Sequence, residues 1–330
     1  MKNNTTPFIA TLAEAQKGKA FTSINPVTMP LFKESDYTVT HDDKRATLIE
    51  TLRDIVFPSL PAGCTIDNYY SGILATDLFS LNTLLGSMIE NKVVTFLNAH
   101  RHLWDSGEWS EYHFIRSNES FPDVRLVKKN ASNDTILGIE LKSWFILSKE
   151  GEPSFRYRTA SEACDPGDLL CIIPWYLSDA VCGHPVLATP WVFSAKAAAE
   201  ATRRYWIYER QTEKPMKLAQ RNLEVPNNIK PYMVNARDKT NYKPINDGGN
   251  NFGRLARTGI MSNFVEDTLL TDILGIPANN WRMFLKAHTD SSSLQDIQKK
   301  ISSITKIPKS EKFQQLMRAL RDYIDELPEI

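Results

Sequence analysis

Scarcity sets the first bounds on this chain. Its 330 residues include four cysteines, Cys64, Cys164, Cys171 and Cys182, with no Cys-x-x-Cys pair. That is too few for a disulfide scaffold and fits a reducing cytoplasm. Together with His184 they lack the regular spacing of a zinc site, so buried packing is their expected role. Excess charge is also missing: 39 Lys and Arg balance 39 Asp and Glu. No global field therefore draws the chain to polyanions, although charge can still be concentrated locally. No apolar run reaches about 18 residues, so neither a transmembrane helix nor a membrane partner is expected. The opening stretch, MKNNTTPFIATLAEAQKGK, has no apolar signal core. The six histidines form no His-Glu-x-x-His, and no Gly-x-Ser-x-Gly elbow is present. The glycines of 247–258 match neither a Walker loop nor a dinucleotide fingerprint.

What is present centres on residues 121–144, FPDVRLVKKNASNDTILGIELKSW. Val124, Leu126 and Val127 make a short β-prone run. Residues 130–134 are turn formers, and 135–147 form a second, longer β-prone run. Alternation along that strand puts Glu140 and Lys142 on one face and Leu137, Ile139 and Leu141 on the other. Asp123 opens the first strand, just after Pro122, so a short hairpin brings it near Glu140. Two such carboxylates can hold Mg²⁺, a hard cation that also binds phosphate oxygens and lowers the pKa of bound water. The lysine can orient that water, help to deprotonate it, or offset charge on a phosphate. The competing reading is a surface hairpin with an ordinary Glu/Lys pair.

Pro122-Asp123 followed by Glu140-Leu141-Lys142 resembles the PD-(D/E)XK signature of a nuclease superfamily that includes many Type II restriction endonucleases. The resemblance implies an α/β (α+β) fold with a mixed sheet and an αβββαβ core. It also implies a Mg²⁺-dependent endonuclease of a prokaryotic cytoplasm that cuts double-stranded DNA as a homodimer, leaving 5′-phosphate and 3′-hydroxyl ends. Asp123 and Glu140 would be metal ligands and Lys142 would act on the attacking water. Such nucleases often add an acid from the helix before the hairpin, and Glu90 is the matching position. On the apolar helix expected over 82–100, Glu90 lies at the edge of the buried side, where a carboxylate needs a partner. The alternatives are a structure-selective repair or recombination nuclease and an inactive DNA-binding protein with a chance motif.

The remaining chain supplies context. Residues 1–80 read as an arm with short helical pieces at 47–56 and 67–79. Residues 81–263 read as the catalytic core, and 264–330 as a helical addition with helices over 264–274, 280–287, 294–304 and 311–327. A continuous apolar run at 168–178 predicts a buried strand, and 186–193 a β-prone piece broken by Pro190. Ser194 is placed to cap an alanine-rich helix over 195–209. Residues 201–260 hold 12 Lys and Arg against 5 Asp and Glu, a local surplus of seven in a neutral chain. That is the footprint expected of a nucleic-acid surface. Candidate DNA contacts are Arg156 and Arg158 of the Phe-Arg-Tyr-Arg run, then Arg203, Arg204, Lys239, Lys243, Asn250, Asn251, Arg254 and Arg257. Asn pairs bidentately with adenine and Arg with guanine.

Overall fold

The computed structural model describes residues 32–73, 78, 81–117, 121–148, 150–209, 229–232 and 251–289. Near the start, α1 (Ala46–Thr51) runs on into a π-helical turn, Leu52–Val56, and α2 (Leu60–Gly63) is a single turn. A helix was expected over 67–79. Residues 67–73 are instead non-helical, with Tyr70 bridging Gly183 and Gly72 at φ 69°. A glycine in the left-handed region stops a helix.

The long helix α3 (Leu81–Ala99) buries Leu85, Ile89, Val93, Phe96 and Leu97, as its apolar spacing predicts. Asn82 ties its first turn to the sheet. The Asn82 Oδ1 accepts from the Phe145 N–H at 3.2 Å and the Trp175 indole N–H at 3.1 Å. Strands β1 (Tyr112–Arg116), β2 (Val124–Lys128) and β3 (Ala131–Phe145) form an antiparallel meander. The chain then crosses over to β4 (Leu169–Leu177), which runs parallel to β3. Strands β5 (Pro185–Leu187) and β6 (Trp191–Ser194) both pair antiparallel with β4. β6 covers β4 up to Ile172, and β5 takes over at Trp175. Pro174, which has no N–H to donate, falls in the gap between these two partners.

Ser194 caps α4 (Ala195–Arg204), its hydroxyl accepting from the Ala197 N–H at 3.1 Å. The alanines at 195, 197, 198, 199 and 201 are buried, and small side chains allow this close approach. Next come α5 (Ser262–Leu269), a hairpin of β7 (Asp272–Ile273) and β8 (Ile276–Pro277), and α6 (Ala278–Thr289). The helix expected over 264–274 therefore ends early. Leu274 and Gly275 both have positive φ, 56° and 79°. That is the conformation of a two-residue hairpin turn.

The class is mixed α/β, with one six-stranded mixed sheet. The order of elements departs from αβββαβ. Among its described residues the crossover from β3 to β4 carries a single 3₁₀ turn, Ser161–Ala163, as its helical element, and β4, β5 and β6 all precede α4. No strand after α4 joins the main sheet among the described residues. Buried apolar side chains from Leu48 to Leu285 form one continuous cluster, which includes Ile273, Ala278 and Leu285 of the C-terminal elements. No helix among the described residues is long and apolar enough to cross a membrane.

Candidate active site

The register of β2 against β3 pairs Val124 with Ile139. One position further on, regular pairing gives out and a side chain takes over. Asp123 Oδ2 accepts the Leu141 N–H at 2.8 Å, while the Asp123 carbonyl accepts from the Ser117 N–H at 2.7 Å. Asp123 thus closes the end of the hairpin and directs its carboxylate at β3, across from Glu140.

Lys142 completes the group. Its ammonium lies 2.6 Å from Glu140 Oε1 and 3.5 Å from Asp123 Oδ2, and donates to the Leu141 carbonyl at 3.0 Å. The Glu140 side chain is 8% exposed, against 25% for Asp123 and 21% for Lys142, so the group opens to solvent on the Asp123 side. Burial disfavours the charged amine, but Glu140 and Asp123 outweigh it and raise the Lys142 pKa above its usual value. In this state Lys142 is a proton donor and a positive charge, not a base. Tyr157 and Cys164 are buried side by side, 3.7 Å from hydroxyl to thiol. Burial foremost pushes both well above their usual values; the Cys164 and Glu140 charges add to this at Tyr157, and the Asp168 and Glu140 charges at Cys164, where the Tyr157 hydrogen bond pulls the other way.

Glu90 does not join Asp123 and Glu140. It pairs with Arg116 at the end of β1, at 2.6 Å and 3.1 Å. A ligand set of Asp123, Glu140 and Glu90 is not assembled, and no three His, Cys, Asp or Glu side chains converge as a metal-holding group among the described residues. Two hard carboxylate oxygens within reach of one nitrogen remain. That donor set suits Mg²⁺, which uses one or two carboxylates and keeps several waters.

The basic candidates separate into distinct roles. Arg254 is 7% exposed, and its guanidinium is 2.7 Å from Glu150 and 3.2 Å from Glu152. Arg257 meets Glu152 at 2.9 Å. These two residues, expected on a DNA-facing loop, clasp that loop to the crossover, where Arg156 bridges Arg254 and the Tyr157 N–H donates to the Gly253 carbonyl. Gly253, at φ 85°, permits the turn. Arg158 stacks on Phe252 with 5.5 Å from guanidinium to ring centre, and Asn251 accepts from the Arg254 N–H through its carbonyl. Arg203 lies 3.3 Å from Glu200, and Arg204 lies 3.8 Å from Glu209. Arg156 is exposed. Lys239, Lys243 and Asn250 lie outside the described residues.

Reading the motif alone misses a second acid beside the site. Asp168, at the head of β4, is fully buried. It accepts the Gly138 N–H at 2.7 Å, the Asp165 N–H at 2.8 Å and the Tyr232 hydroxyl. Burial pushes its carboxyl up to about 7, against the pull of those donors. The available signal was an acid directly preceding the apolar run 169–173, since an acid in that position needs donors. No protein-family model matches this chain, and neither does any curated protein or solved structure, so a functional assignment rests on the geometry just described.

Proposed function

We propose that the protein is a Mg²⁺-dependent endonuclease of the PD-(D/E)XK type that hydrolyses double-stranded DNA to 5′-phosphate and 3′-hydroxyl ends. The observation that carries this is the meeting of Asp123 and Glu140 at the Lys142 ammonium, on one strand face and open to solvent on one side. Asp123 and Glu140 would hold the metal ion, which supplies Lewis acidity toward phosphate and water when bound. Lys142 donates to the scissile phosphate or to the attacking water and offsets the negative charge that builds up there. Before metal binding, Glu140 and Asp123 outweigh burial and keep that donor protonated. Glu90 acts at one remove. It holds Arg116, whose neighbour Ser117 donates its N–H to the Asp123 carbonyl.

The exposed Arg156, together with the basic surplus of 201–260, would meet the phosphate backbone. A homodimer would match the two-fold symmetry of a palindromic target, in the setting of a prokaryotic restriction system. The commitment of Arg254 and Arg257 to Glu150 and Glu152 removes two candidate base readers. That favours, as a second reading, a nuclease that selects DNA by shape.

Plasmid DNA incubated with Mg²⁺ and wild-type protein, Glu140→Ala or Lys142→Ala tests both readings. Discrete bands from the wild type alone support a sequence-specific enzyme. A smear supports shape selection. Equal DNA binding with no cutting by any of the three proteins rejects the nuclease.

A further inference from the structure

β3 extends beyond the start of β4, and there the side of β3 that faces β4 has no strand partner. Buried or half-buried backbone groups in such a position need substitutes. Two side chains provide them. Asp168 Oδ1 accepts the Gly138 N–H at 2.7 Å, and an Arg45 Nη1 donates to the Ile136 carbonyl at 3.1 Å. Arg45 is itself held by Asp165 at 2.7 Å and Asp43 at 2.8 Å. The carboxylate of Asp168 sits flush against the strand. A methyl group at Gly138 would come within 2.7 Å of Asp168 Oδ1 and 2.4 Å of Pro122 Cγ. Gly138 is two residues from Glu140, on the same face, so a rotation at peptide 138 moves the Glu140 carboxylate.

The Asp168 Oδ1 that receives Gly138 also receives the Tyr232 hydroxyl. Tyr232 lies 64 positions away and belongs to the basic part of the chain. Its φ is 61°, an uncommon conformation for a bulky residue, which persists only where surrounding contacts hold it.

We propose that Asp168 is a positioning residue of the Asp123–Glu140–Lys142 site and that Tyr232 acts through it to help hold the catalytic strand. This rests on the nuclease reading above. The hydrogen bonds of Asp168 described above go to the Gly138 peptide, the Asp165 N–H and Tyr232. Their effect is to fix the Gly138 peptide, and through it the distance from Glu140 to Asp123 and Lys142. Loss of the Tyr232 hydroxyl removes one of the donors that fix the buried Asp168 carboxylate, so its orientation against the Gly138 N–H is held less tightly.

The test uses amide hydrogen exchange over residues 138–142 in the full chain, without DNA or metal, alongside steady-state DNA cleavage. The variants are Tyr232→Phe, Asp168→Ala and Asp168→Asn. In Tyr232→Phe the Gly138 amide should exchange about tenfold faster, the worth of one hydrogen bond. Its kcat should fall with KM for DNA unchanged. Asp168→Ala should lower kcat about 10²-fold, the cost of a misplacement near 1 Å. Asp168→Asn keeps Oδ1 as an acceptor for Gly138 but sets its amide nitrogen against the Asp165 N–H, which Oδ2 accepts in the wild type, so it should recover part of that loss, which a general packing role would not predict. If Asp168→Ala fails to fold by circular dichroism, the other two variants carry the test. Wild-type exchange at Gly138 in Tyr232→Phe overturns the proposal, and so does a raised KM with kcat untouched. Exchange needs no substrate. A wild type that never cuts DNA therefore rejects the nuclease reading, while exchange still decides whether Tyr232 holds the strand.

Discussion

Two clusters of paired acids and bases do different work in this molecule. In the clasp, two guanidiniums meet two carboxylates: Arg254 lies 2.7 Å from Glu150, and Arg257 lies 2.9 Å from Glu152. In the trio, two carboxylates converge on one ammonium, at 2.6 Å and 3.5 Å. The matched set is spent on joining two loops. The trio, with carboxylates outnumbering amines, keeps the negative character that a metal ion would use. Stoichiometry within a cluster therefore says more about its role than residue type does. A count of arginines along 201–260 cannot separate interior staples from surface contacts.

The comparison can be broken most decisively at Asp123. Asp123→Asn should reduce Mg²⁺-dependent cleavage by about 10²–10³-fold, the scale of losing one charged stabilising group, with an unchanged circular dichroism spectrum. Wild-type cleavage would remove Asp123 from the site and make the trio another staple.

Next in size is Arg254→Ala. It should cost about 1–3 kcal/mol, read from the urea midpoint, because a buried ion-paired group loses its role and its partners are left behind. DNA affinity of the folded fraction should not change. An unchanged midpoint with weaker binding and a flatter salt dependence would instead make Arg254 a phosphate contact.

A further effect, read as a slope, concerns pH. Asp168 in the folded protein is pushed up from 3.8 to about 7 by burial. A raised carboxyl binds its proton more tightly in the folded than in the unfolded chain. Its contribution to stability is full below the unfolded pKa, near pH 4, and is lost as pH rises to about 7. Asp168→Asn cannot titrate and should flatten the stability curve over that window. Identical slopes in variant and wild type would mean that Asp168 is ionised throughout.

Much of this architecture was legible in the amino-acid order, for local reasons. Strand alternation placed Glu140 and Lys142 together. A serine before an alanine run marked the cap of α4, and an unbroken apolar run marked β4. Where local patterns misled, backbone conformation intervened: Gly72 at 67–73, and the positive-φ pair Leu274 and Gly275 after α5. Partner choice was harder to see. Glu90 had to pair with something, but Arg116 is 26 residues away. Glu150 and Glu152 precede Arg254 by more than 100 positions, and nothing in either stretch names the other.

The sequence by itself determined which residues share a face, because that depends only on the two-residue period of a strand and the 3.6-residue period of a helix. It therefore determined the Glu140–Lys142 pair and brought Asp123 into question. The tertiary structure alone decided which charges are neutralised and by what. That depends on distances between segments far apart in the chain, which electrostatic pairing and burial set together. By that route Glu90 went to Arg116, Arg254 went to the interior, and Asp168 came to hold the strand that carries Glu140.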